Sequence, residues 1–188
     1  MITREVCCCS GIHTHPTLHQ PCQSLDFSNQ FAFRPSGLTT AVIMAMLHTV
    51  CSMLADNNFV HVFSFDFSKA FDMVRHALLT SKLAQLAIPD NIYNWVVNFL
   101  ENHAHCTKYA GLVSAIADVK ASTIQGSAIG PTSYAVTATD LHPLNDHNRI
   151  LKFADDTYLV VPGVATGMCQ NEIKHLHGWA ADNNLKLN

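Results

Sequence analysis

Charge is scarce in this chain. Asp, Glu, Lys and Arg together make up 13% of its 188 residues, against 48% hydrophobic. So little charge beside so much apolar surface excludes a disordered tail, a collagen or a coiled coil. Basic residues are also few, 11 against 14 acidic, for a formal charge of −3. Binding of nucleic acid through overall positive charge is therefore excluded, and only a local basic groove remains compatible. No apolar run reaches the roughly 18–20 residues of a membrane helix. Met1 to Ser10, with Arg4 and Glu5, lacks the apolar stretch of a signal peptide. These absences point to an intracellular setting, cytoplasm or nucleus, with no membrane partner. The seven cysteines contain no Cys-x-x-Cys pair and read as reduced thiols. Adjacent Cys7, Cys8 and Cys9 converge poorly on one ion. His103, His105 and Cys106 are either zinc ligands or surface residues.

Residues 1–29 are rich in His, Pro, Ser and Cys without a period, and read as an irregular N-terminal arm. From Thr39 the apolar spacing turns helical, with Ile43, Leu47, Val50 and Leu54 on one face. Asp56-Asn57-Asn58 stops the helix. Phe59 to Phe65 then reads as a strand covered on both faces, running into Asp66. A helix follows Asp72, with Leu79, Leu83 and Leu86 as its stripe. Pro89 and Asp90 open another, carrying Ile92, Val96, Phe99 and Leu100. His105 to Ile124 predicts a hairpin or meander turning near Gly111. Gly126, Gly130 and Pro131 form a loop before a helix that reaches Leu141. Ile150 to Val161 predicts strand, tight turn at Ala154-Asp155-Asp156, strand. Cys169, Ile173, Leu176 and Ala180 line a last helix.

Three carboxylates stand in apolar surroundings. Asp66 ends an apolar strand, and Asp155 and Asp156 interrupt an apolar hairpin. Carboxylates gathered there repel one another and lose hydration, so they need a cation or a cluster of donors. Hard oxygen ligands completed by water and phosphate describe a Mg²⁺ site. Two such ions about 4 Å apart activate an attacking hydroxyl and stabilise a leaving group. Alternatively, Asp-Asp is simply the turn of the hairpin. Asp66 and the glycine loop favour the metal site.

Phe65-Asp66-Phe67-Ser68-Lys69-Ala70-Phe71-Asp72 resembles the first catalytic motif of reverse transcriptases from non-LTR (LINE-type) retrotransposons. Gln125-Gly126-Ser127-Ala128-Ile129-Gly130-Pro131 resembles their Gln-Gly-Ser-x-x-Gly-Pro loop, and Phe153-Ala154-Asp155-Asp156 their catalytic box. Gln30 to Pro35, followed by Thr39-Thr40-Ala41, is similar to the fingers motif of the same group. Trp179 and Asn184 to Asn188 resemble the start of the next palm motif. These strings run in order over residues 30–188.

The resemblance implies an α+β fold: a right-hand polymerase palm with partial fingers, an antiparallel sheet backed by helices, and no thumb. It sets a fingers-palm domain at 30–188, truncated at its C-terminus, after the arm at 1–29. It implies RNA-directed DNA polymerase activity, with RNA or DNA template-primer and dNTPs as partners and two Mg²⁺ ions as cofactor, Mn²⁺ substituting. Asp66, Asp155 and Asp156 match the catalytic metal-binding acids, and the Phe67 carbonyl is a further ligand. Phe71 matches the steric gate under the sugar, or packs in the core. Gln125 and Gly126 match the loop beneath the templating pair. Arg34 matches the arginine that meets the triphosphate, or is an ordinary surface Arg. Lys69 and Lys152 touch phosphate or are solvated. Asp72 holds its loop. Ala32 departs from the group, where glycine is common. With no thumb in view, the alternative is a catalytically inactive retroelement fragment or a nucleic-acid or protein-binding module.

Overall fold

The computed structural model describes residues 6–7, 27–33, 37–101, 103–123, 127 and 129–188. In chain order the strands and helices are β1 (Val6–Cys7), α1 (Thr39–Leu54), β2 (Val60–Phe65), β3 (Phe67–Ser68), α2 (Ala70–Met73), α3 (His76–Leu83) and α4 (Asp90–Leu100). Then follow β4 (Ala104–His105), β5 (Lys108–Tyr109), β6 (Leu112–Val113), β7 (Ala117–Asp118), α5 (Ile129–Thr137), β8 (Arg149–Phe153), β9 (Asp156–Pro162), α6 (Cys169–Asp182) and β10 (Lys186–Leu187). They form two compact units. One holds 1–23 and 75–122, the other 24–74 and 123–188.

The larger unit is built on the antiparallel sheet β2-β9-β8. β9 is central, and Leu159, Val160 and Val161 are fully buried there. Backbone pairing extends the outer side of β8: Phe31 N–H donates to Lys152 O at 2.8 Å and Lys152 N–H to Asn29 O at 2.8 Å. α1 lies across one face, where Val42, Ala45, Met46, Val50 and Met53 pack with Leu151 and Val160.

Two packing expectations need correction. Ile43, Leu47 and Leu54 turn outward, 53%, 60% and 45% exposed, and only Val50 of the expected stripe packs on the sheet. α1 is apolar on nearly every side, so spacing alone does not choose its buried face. Strand β2 is an edge strand, with Val62 and Ser64 exposed, rather than one covered on both faces.

α5 stops at Thr137, short of Leu141. Ser127 Oγ accepts the Gly130 N–H at 3.1 Å at its start, and Pro131 occupies the first turn, where no N–H is needed. Past its end, the Lys152 ammonium donates to the carbonyls of Ala138 and Leu141. Lys152 is 1% exposed, so it is neither solvated nor a phosphate contact. Its charge sits where a helix C-terminus favours a cation. Lys152→Ala is expected to cost about 2–4 kcal/mol in urea denaturation, from the cavity and the two carbonyl hydrogen bonds it removes.

α6 ends in a Schellman motif: Leu185 N–H donates to Ala180 O at 2.8 Å and Asn184 N–H to Ala181 O at 3.1 Å. Asn184 takes the left-handed position, φ 60°. That reversal sends β10 back antiparallel to β3, pairing Lys186 with Ser68 and Leu187 with Phe67.

In the smaller unit α3 and α4 bury Leu79, Leu83, Val96 and Leu100. β5 and β6 make the expected hairpin, turning through Ala110 and Gly111, φ 49° and 79°. Positive φ at both loop residues is the type I′ turn that suits strand twist. His103 lies against Phe99 and His76, ring centroids 6.0 and 6.4 Å away. Its imidazole titrates below the usual range, through burial and then the nearby His76 and His105. No helix among the described residues is long and apolar enough to cross a membrane.

Candidate active site

The sheet register brings the three carboxylates to one end of β2 and β9. Phe65 is the last paired residue of β2, opposite Thr157. One residue further, Asp66 comes level with Asp156. Asp155 lies in the two-residue turn of the β8–β9 hairpin, closed by the pair Phe153–Asp156. Its loop partner Ala154 has φ 55°, the sign that the first position of a type II′ turn requires. Asp155 is thus a turn residue of the hairpin, and Asp156 is the strand residue that closes it.

Asp66 and Asp156 are exposed and Asp155 is half-buried. The Asp155 carboxyl titrates above the usual carboxylate range. Burial is the main cause, a backbone hydrogen bond opposes it, and the charges of Asp156 and Asp66 add to it. Asp66 is held from β10: Asn188 donates its side-chain amide to Asp66 Oδ2 and its backbone N–H to Asp66 O. Ser68 Oγ donates to Asn188 Oδ1.

Phe67 is buried, its ring edge-on to Trp179 at 6.0 Å. Trp179 is itself fixed by its indole N–H, which donates to Asp140 Oδ1 at 2.9 Å. Asp66 and Asn188 form a hydrogen-bonded pair, so alternation turns the Phe67 peptide carbonyl away from β10. Phe71, on α2, is half-buried and lies 4.9 Å from the Tyr134 ring. The edge of Phe33 meets it at 6.3 Å. Tyr134 is 1% exposed, and burial, then the charges of Asp155 and Asp156, push its phenol well above its usual value. Tyr134 thus packs against the sugar-gate candidate and lies within the electrostatic reach of the acids. Lys69 is exposed, with φ 51°. Its carbonyl accepts the Asp72 N–H at 2.8 Å.

Arg34, Gln125 and Gly126 lie outside the described residues. Three residues beside the acids were given no individual role by the sequence analysis: Gln30 and Asn188, named only within the fingers and palm motif strings, and Tyr134. Gln30 follows the polar pair Ser28-Asn29, so its burial left no local signal. The charges of the acids on Tyr134 and the bond from Asn188 to Asp66 were not legible, because only folding creates them.

The donor set suits a hard divalent ion. The charges acting on Asp155 are two further carboxylates, an arrangement that a cation relieves. Among the described residues no three His, Cys, Asp or Glu side chains are grouped to hold one ion. Mg²⁺ is commonly bound by one or two carboxylates, with water and substrate phosphate completing its shell, and does not need an all-protein cage.

Known proteins resemble this chain in both sequence and fold. It is 28% identical over 170 residues to the RNA-directed DNA polymerase from mobile element jockey of Drosophila melanogaster, covering 85% of this chain and 18% of that protein. It is 26% identical over 172 residues to the probable RNA-directed DNA polymerase from transposon BS of the same fly, covering 85% and 19%. The chain therefore spans less than a fifth of the length of these relatives. Telomerase from Candida tropicalis, solved with the TWJ fragment of telomeric RNA, superposes with a TM-score of 0.65 at 13% identity, over 85% of this chain and 29% of that one. That likeness shows a shared fold, helices and antiparallel sheet in a partial palm-and-fingers arrangement. A family model described as reverse transcriptase (RNA-dependent DNA polymerase) matches residues 13–188, and with the acids at one end of such a sheet, the chain belongs to the reverse transcriptase family.

Proposed function

We propose that this chain carries the fingers-palm core of an RNA-directed DNA polymerase, joining dNTPs to a primer 3′-hydroxyl on a nucleic-acid template. The observation that supports the reading is the sheet register, which carries Asp66 and the Asp155–Asp156 turn to the same end of β2 and β9. Asp66 and Asp155 would hold two divalent cations, with Asp156 in support and the Phe67 carbonyl as a further oxygen donor. The cations, when bound, supply Lewis acidity that activates the hydroxyl and neutralises the leaving pyrophosphate. Asn188 fixes the Asp66 carboxylate from behind, and Phe71 would lie under the sugar. Base pairing, not side chains, would select the nucleotide. Arg34, Gln125 and Gly126 keep the triphosphate and template roles that the family resemblance implies.

Primer extension on an RNA template with Mg²⁺ tests this. Incorporation that Asp155→Asn removes is the expected result, and incorporation unchanged by that substitution rejects the reading. The sugar-gate role has its own test. Phe71→Val is expected to raise ribonucleotide relative to deoxyribonucleotide incorporation by up to about 100-fold, the scale on which an apolar wall rejects one hydroxyl. A lower melting temperature with an unchanged ratio leaves Phe71 as core packing only.

A further inference from the structure

Gln30 is 3% exposed and sits beside the catalytic hairpin, 124 positions before Ala154. Its amide oxygen accepts the Ala154 N–H at 3.1 Å, and its amide nitrogen donates to the Ala154 carbonyl at 3.3 Å. Both backbone polar groups of the residue before Asp155 therefore end on one side chain. The same oxygen accepts the Ala32 N–H at 3.1 Å. Ala154 pays a conformational penalty at φ 55°, where an L-residue with a Cβ is disfavoured. The clasp offsets that penalty and fixes the peptide plane from which Asp155 departs.

The clasp is also well anchored. Residues 29 and 31, on either side of Gln30, pair with Lys152 of β8. Two residues further, Phe33 meets Phe71. A single short segment thus touches the metal-side turn and the sugar-side ring.

We infer that Gln30 is a positioning residue: through Ala154 it sets the direction of the Asp155 carboxylate and so the affinity of the site for divalent cations. This rests on the reading of Asp155 as a metal ligand. Gln30→Leu keeps most of the volume and removes both hydrogen bonds to Ala154, along with the one from Ala32. Gln30→Glu keeps the acceptor and loses the donor. Two measurements need no catalysis: a Mn²⁺ titration followed by electron paramagnetic resonance, and amide hydrogen exchange without metal.

Loss of a hydrogen-bonding support behind a metal ligand typically weakens binding about 10–100-fold. That loss of Mn²⁺ affinity is expected for Gln30→Leu, with an intermediate value for Gln30→Glu. Exchange at Ala154 and Asp155 should speed up, while Leu159 and Val160 in the centre of the sheet stay protected. Wild-type affinity and wild-type exchange in Gln30→Leu overturn the inference. If Gln30→Leu loosens the whole sheet, Gln30→Glu decides, and wild-type Mn²⁺ affinity there overturns it. Asp155→Asn in the same titration separates the two claims. Unchanged Mn²⁺ binding in Asp155→Asn removes the ligand reading itself, whereas weakened binding there beside wild-type binding in both Gln30 variants removes only the role of Gln30.

Discussion

Asp155→Asn is expected to lower nucleotide incorporation by about 1,000-fold or more, because a lost metal ligand forfeits several kcal/mol of transition-state stabilisation. The same substitution should raise the melting temperature, and only slightly, because the half-exposed carboxyl is screened by solvent. The Asp155 carboxyl is held above its usual range by burial and by Asp156 and Asp66. A carboxyl whose folded value lies above its unfolded value favours folding only while it is protonated. Its stabilising contribution is present at low pH and is lost as the pH climbs from the unfolded value through the folded one. At neutral pH the ionised side chain is therefore a burden that asparagine removes, and the gain should vanish in acid. Mg²⁺ supplies the cross-check. It should raise the melting temperature of the wild-type chain by mass action and move Asp155→Asn much less. Thermal scans at pH 4 and pH 7.5, with and without Mg²⁺, read all of this. A lower melting temperature for Asp155→Asn at neutral pH contradicts it.

The largest loss of stability is expected at Glu172. This residue on α6 is 1% exposed, and its carboxylate gathers the 144–148 loop. It accepts the backbone N–H of Leu144 at 3.1 Å and of Asn145 at 2.9 Å, and the Asn148 side-chain amide at 2.7 Å. Asn148 is itself fully buried, and its Oδ1 has no protein partner. Glu172→Ala would strand three donors, the Asn148 amide fully buried and two backbone N–H groups partly so, and open a cavity, at a cost of about 3–5 kcal/mol. Glu172→Gln retains the shape but aims an N–H at groups that need an acceptor, and should cost about 1–3 kcal/mol. Urea denaturation with an unchanged slope measures both. A loss within about 0.5 kcal/mol for Glu172→Ala, the range of ordinary surface changes, would contradict the account.

The acids were readable from the sequence because a carboxylate among apolar residues is itself the signal. Asp66 after Val60–Phe65, and Asp155–Asp156 between Phe153 and Leu159, needed no knowledge of the fold. The Phe153 to Asp156 hairpin and the Ala110-Gly111 turn were readable for a related reason, since local chemistry dictates them. What escaped was set by long-range packing. Every side of α1 offered an apolar stripe, and the sheet selected Val42 and Met46 over Ile43 and Leu47. Lys152 read as a phosphate contact or a solvated lysine, and Glu172 carried no signal. Each is buried because folding supplies it with backbone partners far away in the chain. The clasp of Gln30 on Ala154 escaped for the same reason.

The way the smaller unit interrupts the larger has a cost during synthesis. The ladder between β2 and β9 joins residues near 60 to residues near 160, with all of 75–122 in between. While a ribosome makes this chain, Val60–Phe65 must wait, apolar and without its partner strand, until the Asp155 hairpin emerges. Contacts of such separation fold slowly and expose sticky intermediates. Chaperone demand in the growing chain should therefore peak before residue 162 leaves the exit tunnel.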